Sequence, residues 1–429
     1  MMHIFSMKRQ TKKRAIETID DAPVLYLSLS QHIGKPSEPI VSVGDRVKKY
    51  QLLAQASGIM SANVHAPVSG VIKSIEKHPL ADGTVVDMIV LENDFMNDQI
   101  DIPVVDSSNL TEDQIVEKIK EAGIVGEGGA QFPTHVKYVL QGHKIDTFII
   151  NGTECEPYLT SDYILMKERA SELFQGILII NKVLKASDIV LSIEEQNKDL
   201  LSVFTPLLNS AEYKQIRVKI LPNEYPQGGE LQLIKSVTGK ELPRGVLPRD
   251  NGIIVSNAGT VYSVYKSVVE QKPLVERIIT ISGEESKRIG NLEVPIGTPI
   301  SHILQSQGLP GIPDEDILVL GGPMMGKNVV DISAPITKGS SGVLLFKKKR
   351  IKRNNCISCG YCVDVCPMHL MPMKFEENYR KGRYSQLEKY SLSQCIECAA
   401  CEYICPSDVP LIESIKLGKQ KLISTQHPA

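Results

Sequence analysis

The residues best suited to chemistry lie near the end of the chain. Two stretches, "CISCGYCVDVCP" at 356–367 and "CIECAACEYICP" at 395–406, space their cysteines as C-x2-C-x2-C-x3-C-P. Four thiolates can hold a [4Fe–4S] cluster, and this is the run used by bacterial two-cluster electron carriers, in which the fourth cysteine ligates the other cluster. Three close cysteines wrap one corner of a cubane, and the fourth lies past a turn where proline ends the helix. The spacing predicts one cluster on Cys356, Cys359, Cys362 and Cys405 and a second on Cys366, Cys395, Cys398 and Cys401. Zinc is the competing use of such thiols, but structural zinc takes four ligands, often as two C-x2-C pairs.

Such clusters move electrons one at a time, whereas a nicotinamide gives up two as a hydride. Joining the two normally needs a flavin. The candidate flavin segment is "GIVGEGGAQFPTHVK" at 123–137. Its predecessor reads as a helix, so the usual dinucleotide fingerprint, which follows a strand, does not apply. Glycines still let a backbone approach a phosphate or ring closely. The segment after Pro133 can open a helix whose N-terminus favours an anion, and Lys137 adds positive charge. The bland alternative is that Gly126, Gly128 and Gly129 serve only a tight turn.

Four segments occur in order: "GEGGAQFPTHVK", "NGTECEPYLTSD", "YPQGGELQLIKSVTG" and "VSNAGTV". With the cysteine blocks behind them, the chain resembles the flavin-binding, NADH-oxidising subunit family of respiratory complex I. It is still more similar to the C subunits of the Rnf ion-translocating electron-transport complex, over nearly its whole length. The resemblance implies a non-covalent FMN at Gly126, Gly128, Gly129 and Lys137, with Asn151 and Glu154 in a second flavin segment. It implies Glu156 as a nicotinamide-side acid, Glu230, Asn257 and Thr260 as further flavin contacts, and Phe132 as an aromatic stacking on the nucleotide. It further implies NADH as substrate and chemistry carried by FMN rather than by a catalytic side chain. The implied partners are integral membrane and ferredoxin-type subunits, and the implied location is peripheral, on the cytoplasmic side of the cell membrane.

The chain departs from the family pattern in places. Thr153 and Leu231 stand where complex I relatives carry acids, and the N-terminus lacks a Gly-Gly-x-His-Pro type segment. Two other readings stay open. One is a soluble NADH-dependent flavin/iron–sulfur protein serving a dedicated reductase of the proline or cobalamin type. The other is a non-enzymatic iron–sulfur relay. Glu154 and Glu156 could be ordinary acids in a turn, and Cys155 between them a small buried residue. His65 and His135 read as packing or hydrogen-bonding residues.

These residues need a multidomain α/β and β scaffold to position them. Residues 1–100 resemble a barrel-sandwich (lipoyl-like) domain, carried by a V-G-D-x-V hairpin and "APVSGVI"; no lysine lies between Gly58 and Ala66, so the covalent carrier role is not expected. Residues 101–272 alternate helix and strand signals, as an α/β FMN/NADH-binding domain would. "TEDQIVEKIKEAG" opens on a Thr N-cap, and "IDTFIIN" is a short buried strand. Residues 273–345 read as a β-grasp (soluble-ligand-binding) module with one short helix, and 346–429 as the two-cluster domain, ferredoxin-like, with a polar tail that frays after Gly418. The basic run 347–353 reads as a solvated linker, or else as a patch for an acidic partner or phospholipid head groups.

The 429 residues leave room for several cores, and 48 basic against 50 acidic residues argue against nucleic acid. No stretch approaches the length of an apolar membrane span, and the basic N-terminus lacks the apolar region of a secretory signal. Eight of nine cysteines crowd the last fifth of the chain, which suits metal ligation in a reducing cytosol better than a disulfide framework.

Overall fold

The computed structural model describes residues 1–426, apart from Val104, Arg244, Pro310, Pro313, Asp314 and 349–352. At its centre is a four-stranded sheet, in the order Ile216–Leu221, Asp188–Glu194, Thr147–Gly152, Ile253–Asn257. All three pairings are parallel. Alternation along the strands explains the layers. Phe148, Ile150 and Leu191 face the helices Ala170–Leu184 and Ala258–Val268, whereas Ile149, Val190 and Val255 face the helix Glu230–Thr238. A parallel sheet covered on both faces needs nearly continuous apolar strands, as "TFIING" and "DIVLSIE" provide. Each fully buried residue of the size of Leu233 contributes about 1.5–3 kcal/mol. The segment before the sheet is the helix Glu112–Glu121, whose Thr111 cap and Gln114 form a reciprocal capping box.

Residues 24–93 form two small antiparallel sheets around Leu25, Leu53, Ile72 and Ile89. Their hairpin tip, between Leu52–Gln55 and Val64–His65, leans on the α/β domain: Asn63 Nδ2 donates to Glu121 O at 3.0 Å, and the His135 ring bonds the Ile59 backbone. The third unit, built on a six-stranded mixed sheet, lies on the other side. Its order is Ile16–Thr18, Gly290–Pro295, Glu276–Ser282, Gly342–Lys347, Asp316–Leu320, Lys327–Asn328, with the helix Ile300–Ser306 packed on it. Lys338 bolts the three units together. It is buried, and its Nζ donates to Asn63 O at 2.6 Å and Gly123 O at 2.7 Å.

Three expectations are corrected. Residues 16–18 do not join the barrel; Ile16–Thr18 adds a parallel edge to the third sheet through Gly290–Pro295, where an edge strand's free backbone groups find partners. The tail does not fray at Gly418. The helix Leu411–Gln426 runs through it, because a glycine there lets Leu387 and Leu392 approach closely. The helix after Pro133 is only Thr134–Tyr138, too short to carry a macrodipole of consequence. Residues 349–352 of the basic run lie outside the described residues; Lys347, Lys348 and Arg353 at its ends are exposed.

Candidate functional site

Counted along the chain, the parallel strands lie in the order 3-2-1-4. The topological switch point therefore falls between Thr147–Gly152 and Ile253–Asn257, and ligands of doubly wound sheets bind at that crevice, beyond the carboxyl ends of the strands. Asn151 and Asn257 are register partners across it. The glycine loop closes over the same place. Gly126 N–H donates to Phe132 O at 2.8 Å and Gln131 N–H returns to Gly126 O at 3.1 Å, so the loop is a pinned hairpin. A Cβ on Gly128 would lie 3.4 Å from Asn257 Cβ, and Gly129 adopts φ +104° with open space above it.

The other side chains expected at a flavin converge on this crevice to different degrees. Asn151 Nδ2 donates to Gly228 O at 2.9 Å, tying the first strand to the "PQGGE" turn. Asn257 caps its helix by accepting from Gly259 N–H at 2.8 Å, and its Nδ2 reaches Asp162 Oδ2 at 2.7 Å. Thr260 Oγ1 accepts the Glu127 N–H at 2.9 Å. Lys137 donates to Val255 O at 2.9 Å and lies 3.4 Å from Glu230 Oε1. Phe132 is half-buried beside the loop. Glu154 and Glu156 are committed to protein groups. Glu154 caps the helix Ser161–Glu168, accepting from Ser161 Oγ at 2.9 Å and the Asp162 and Tyr163 amides. Glu156 accepts from the Met324 and Met325 amides at 3.0 and 2.8 Å, holding the "GGPMMG" turn of the third sheet; burial raises its carboxyl above the usual range.

Some residues of the crevice escaped sequence reasoning. Glu127, inside the glycine loop, forms a buried ion pair with Arg277 of the third sheet, and Ser263 Oγ also bonds its carboxylate. Burial lowers Arg277 to about 10. Asp162 lies behind Asn257; burial, reinforced by the Glu154 charge and opposed by the Asn257 amide, pushes it up to about 7. Lys8 comes in from the N-terminal arm and bonds Glu154 O. The signal available for Asp162 was its place in the quoted "NGTECEPYLTSD"; Arg277 and Lys8 had none, being distant in sequence.

The cysteines form two sites. The thiols of Cys356, Cys359, Cys362 and Cys405 line one cavity. Cys366 lies close enough to Cys395, Cys398 and Cys401 for its charge to bear on all three thiols. The fourth cysteine of each block thus sits with the other block's first three. Among the described residues no three His, Cys, Asp or Glu side chains converge on a single-ion centre. The thiols of the first site ring a space, as a cluster with bulk of its own requires. Burial pushes Cys398 up to about 11, so ionised thiols here call for positive charge, which cluster iron supplies.

The second site abuts the α/β domain. Met2, Tyr225, Cys398 and Ala400 form one buried group with Cys155 and Met324 beside it. Cys155 takes a hydrogen bond from Gly228 N–H at 3.4 Å, and burial raises it to about 12, so it sits there as a neutral packing residue.

The residues fit a flavin as well as clusters: open space over Gly129, a glycine loop at the switch point, and the fully buried Gln227, whose amide nitrogen and oxygen have no hydrogen-bond partner among the described residues. Comparison with known proteins agrees. Residues 119–266 match the Nuo51 FMN-binding domain, 2–96 the RnfC barrel sandwich hybrid domain, and 355–409 a 4Fe-4S dicluster domain. An NAD+-reducing [NiFe]-hydrogenase structure is similar in fold, at TM-score 0.52 and 17% identity, over 75% of this chain and 62% of that one. The C subunit of the ion-translocating oxidoreductase complex of Rhodobacter capsulatus is 38% identical over 99% of this chain and 83% of its own length. The C subunit of the proton-translocating ferredoxin:NAD(+) oxidoreductase complex of Clostridium ljungdahlii is 37% identical over 91% and 86%. With its barrel sandwich, FMN-binding and dicluster domains in this order, the chain belongs to the family of C subunits of ion-translocating oxidoreductase complexes.

Proposed function

We propose that this chain is the electron-transfer subunit of an ion-translocating NADH:ferredoxin oxidoreductase, oxidising NADH or, in reverse, reducing NAD. The observation that carries the reading is that one short segment joins the switch-point crevice to a four-cysteine site: Gly228 accepts from Asn151, and Tyr225, three residues earlier, donates to Cys398 O. Gly126, Gly128, Gly129, Lys137, Asn151, Asn257 and Thr260 would hold FMN. When bound, the flavin supplies the conversion of a two-electron hydride donor to single electrons. The chain's own contribution is placement: a pinned loop, and strand ends whose Asn151 and Asn257 are fixed by hydrogen bonds. The two sets Cys356/Cys359/Cys362/Cys405 and Cys366/Cys395/Cys398/Cys401 would each hold one [4Fe–4S] cluster. Among the described residues no helix is long and apolar enough to cross a membrane. The family membership supports a place as a peripheral subunit on the cytoplasmic side, with integral membrane and ferredoxin-type partners carrying out ion movement. Within 273–345 the mixed sheet supports a β-grasp module: Glu276–Ser282 and Gly342–Lys347 pair in parallel, with a helix between hairpin and return strands.

Anaerobic purification with FMN and iron reconstitution tests the reading. The expected result is a flavin absorbance band bleached by NADH, with paramagnetic clusters appearing on reduction. A chain that takes up clusters but no FMN would defeat it. Cys366→Ser tests the cluster assignment: the site shared with Cys395 should be lost and the other kept, and loss of the other site alone would show the crosswise assignment to be wrong.

A further inference from the structure

The third unit meets the crevice with two turns. Residues 321–326 follow the strand Asp316–Leu320, and residues 337–340 precede the strand Gly342–Lys347. These strands are antiparallel neighbours, and Gly321 N–H donates to Gly342 O at 2.7 Å, so both turns lie at one end of the same sheet. They hold different walls of the crevice. The first turn holds the segment that follows Thr147–Gly152. A Cβ on Gly322 would lie 2.1 Å from Glu156 Oε2, and the Met324 and Met325 amides bond the same carboxylate.

The second turn reaches the glycine loop at its start, inside it and near its end. Lys338 Nζ donates to Gly123 O at 2.7 Å. Ser340 O accepts Arg277 Nε at 3.1 Å, and Arg277 is the ion-pair partner of Glu127. Thr337 Oγ1 accepts from Gln131 Nε2 at 3.3 Å, and only a glycine at 339 leaves room for that side chain, because a Cβ would lie 2.2 Å from Gln131 Nε2. Gln131 needs such support. Its φ of +51° is left-handed, a conformation that a residue other than glycine keeps where its surroundings fix it. Lys338 is buried with carbonyls for partners, Asn63 O and Gly123 O, and burial lowers it to about 7. A buried cation is costly unless its donors are used, and one of these is used on the first residue of the loop.

We propose that the third unit is the mould of the crevice: residues 337–340 shape the glycine loop, residues 321–326 fix the wall that carries Glu156, and Lys338 is the positioning residue of the loop. The loop is thereby set before any ligand arrives, which spares the cost of ordering it on binding. The shaping involves protein groups alone; its consequence for FMN rests on the function proposed above.

The test uses the full chain, purified anaerobically with its iron sites reconstituted and without added FMN. Hydrogen exchange is read at Gly126 and Gln131, whose N–H groups close the loop, and at Ile149 and Ile150 of the central sheet. FMN is then titrated in, with its affinity read from fluorescence quenching and its surroundings from the visible circular dichroism of the bound flavin. In Lys338→Met the two loop amides should exchange about tenfold faster relative to the central strand, the size of one lost charge-assisted hydrogen bond. FMN should bind about tenfold more weakly for the same reason, and its dichroism should change. If Lys338→Met does not fold, Thr337→Val decides: Gln131 should exchange faster while Ile149 and Ile150 do not, and the dichroism should change. A folded variant whose loop amides keep their protection, or lose it only in step with the central strand, overturns the inference, as does an unaltered flavin dichroism. Failure of the unmodified chain to bind FMN would instead defeat the function proposed above, and loop exchange would still decide whether residues 337–340 shape the loop.

Discussion

Glu127 and Arg277 face each other inside the crevice wall, each 5% exposed, whereas the cysteine domain has Cys356 and Cys359 at its surface and a core of a few residues around Phe375, Leu387 and Ile415. The crevice is assembled from distant segments and held by protein alone: a buried ion pair, caps and a parallel sheet. The cysteine domain has mostly one- to three-turn helices. Lys419 helps by donating to Cys395 O at 2.6 Å from the one long helix. A small unit with so little apolar area depends on its metal for stability. Within that unit, the same C-x2-C-x2-C spacing is buried in one block and open in the other, because the α/β domain packs on Cys398 and on the Val365 end of the first block and leaves Cys356 and Cys359 uncovered.

The largest effect expected is from iron removal. Anaerobic chelation should unfold residues 353–426 and leave the central sheet folded. Hydrogen exchange would show Leu411–Gln426 losing protection while Thr147–Gly152 keeps it; retained protection in the helix would mean that the cysteine domain stands without metal. Next in size is Arg277→Met. Leaving Glu127 buried without its partner costs about 3–5 kcal/mol, visible as a lower melting temperature and weaker FMN retention, with iron content unchanged. Loss of iron in that variant would show that the two regions are one cooperative unit.

The smallest effect concerns Asp162. Its folded value of about 7 lies above the unfolded 3.8, so between these values the folded state binds more protons. Stability must therefore fall as pH rises through that window. Asp162→Asn should flatten the fall, by on the order of 1–2 kcal/mol across the window, given the opposing amides. Denaturant titrations at both ends of the window measure it, and an unchanged slope would remove Asp162 from the crevice's electrostatics.

Much of this protein is legible in its sequence. The cysteine spacing names the cluster type because a cubane imposes it locally. The helix Ala170–Leu184 and the strands around it follow from periodicity, since each buries a face that its own residues define. The limits are equally physical. Residues 16–18 fell inside the domain bounded at 1–100 because pairing to Gly290–Pro295 is a long-range choice. The helix cap made by Glu154 and the turn docked by Glu156 could not be seen before the chain folds. Gly418 read as the start of a frayed tail because its packing against Leu387 and Leu392 is tertiary.

By itself the sequence determined the thiol chemistry, the glycine loop and the order of the domains, all properties of short stretches and their spacing. Tertiary structure alone decided that the switch point brings Asn151, Asn257 and the glycine loop together, that Arg277 and Lys8 arrive there from elsewhere in the chain, and that one cysteine site lies inside and the other outside. Strand order, ion pairing and burial depend on which surfaces meet, and no local spacing encodes that.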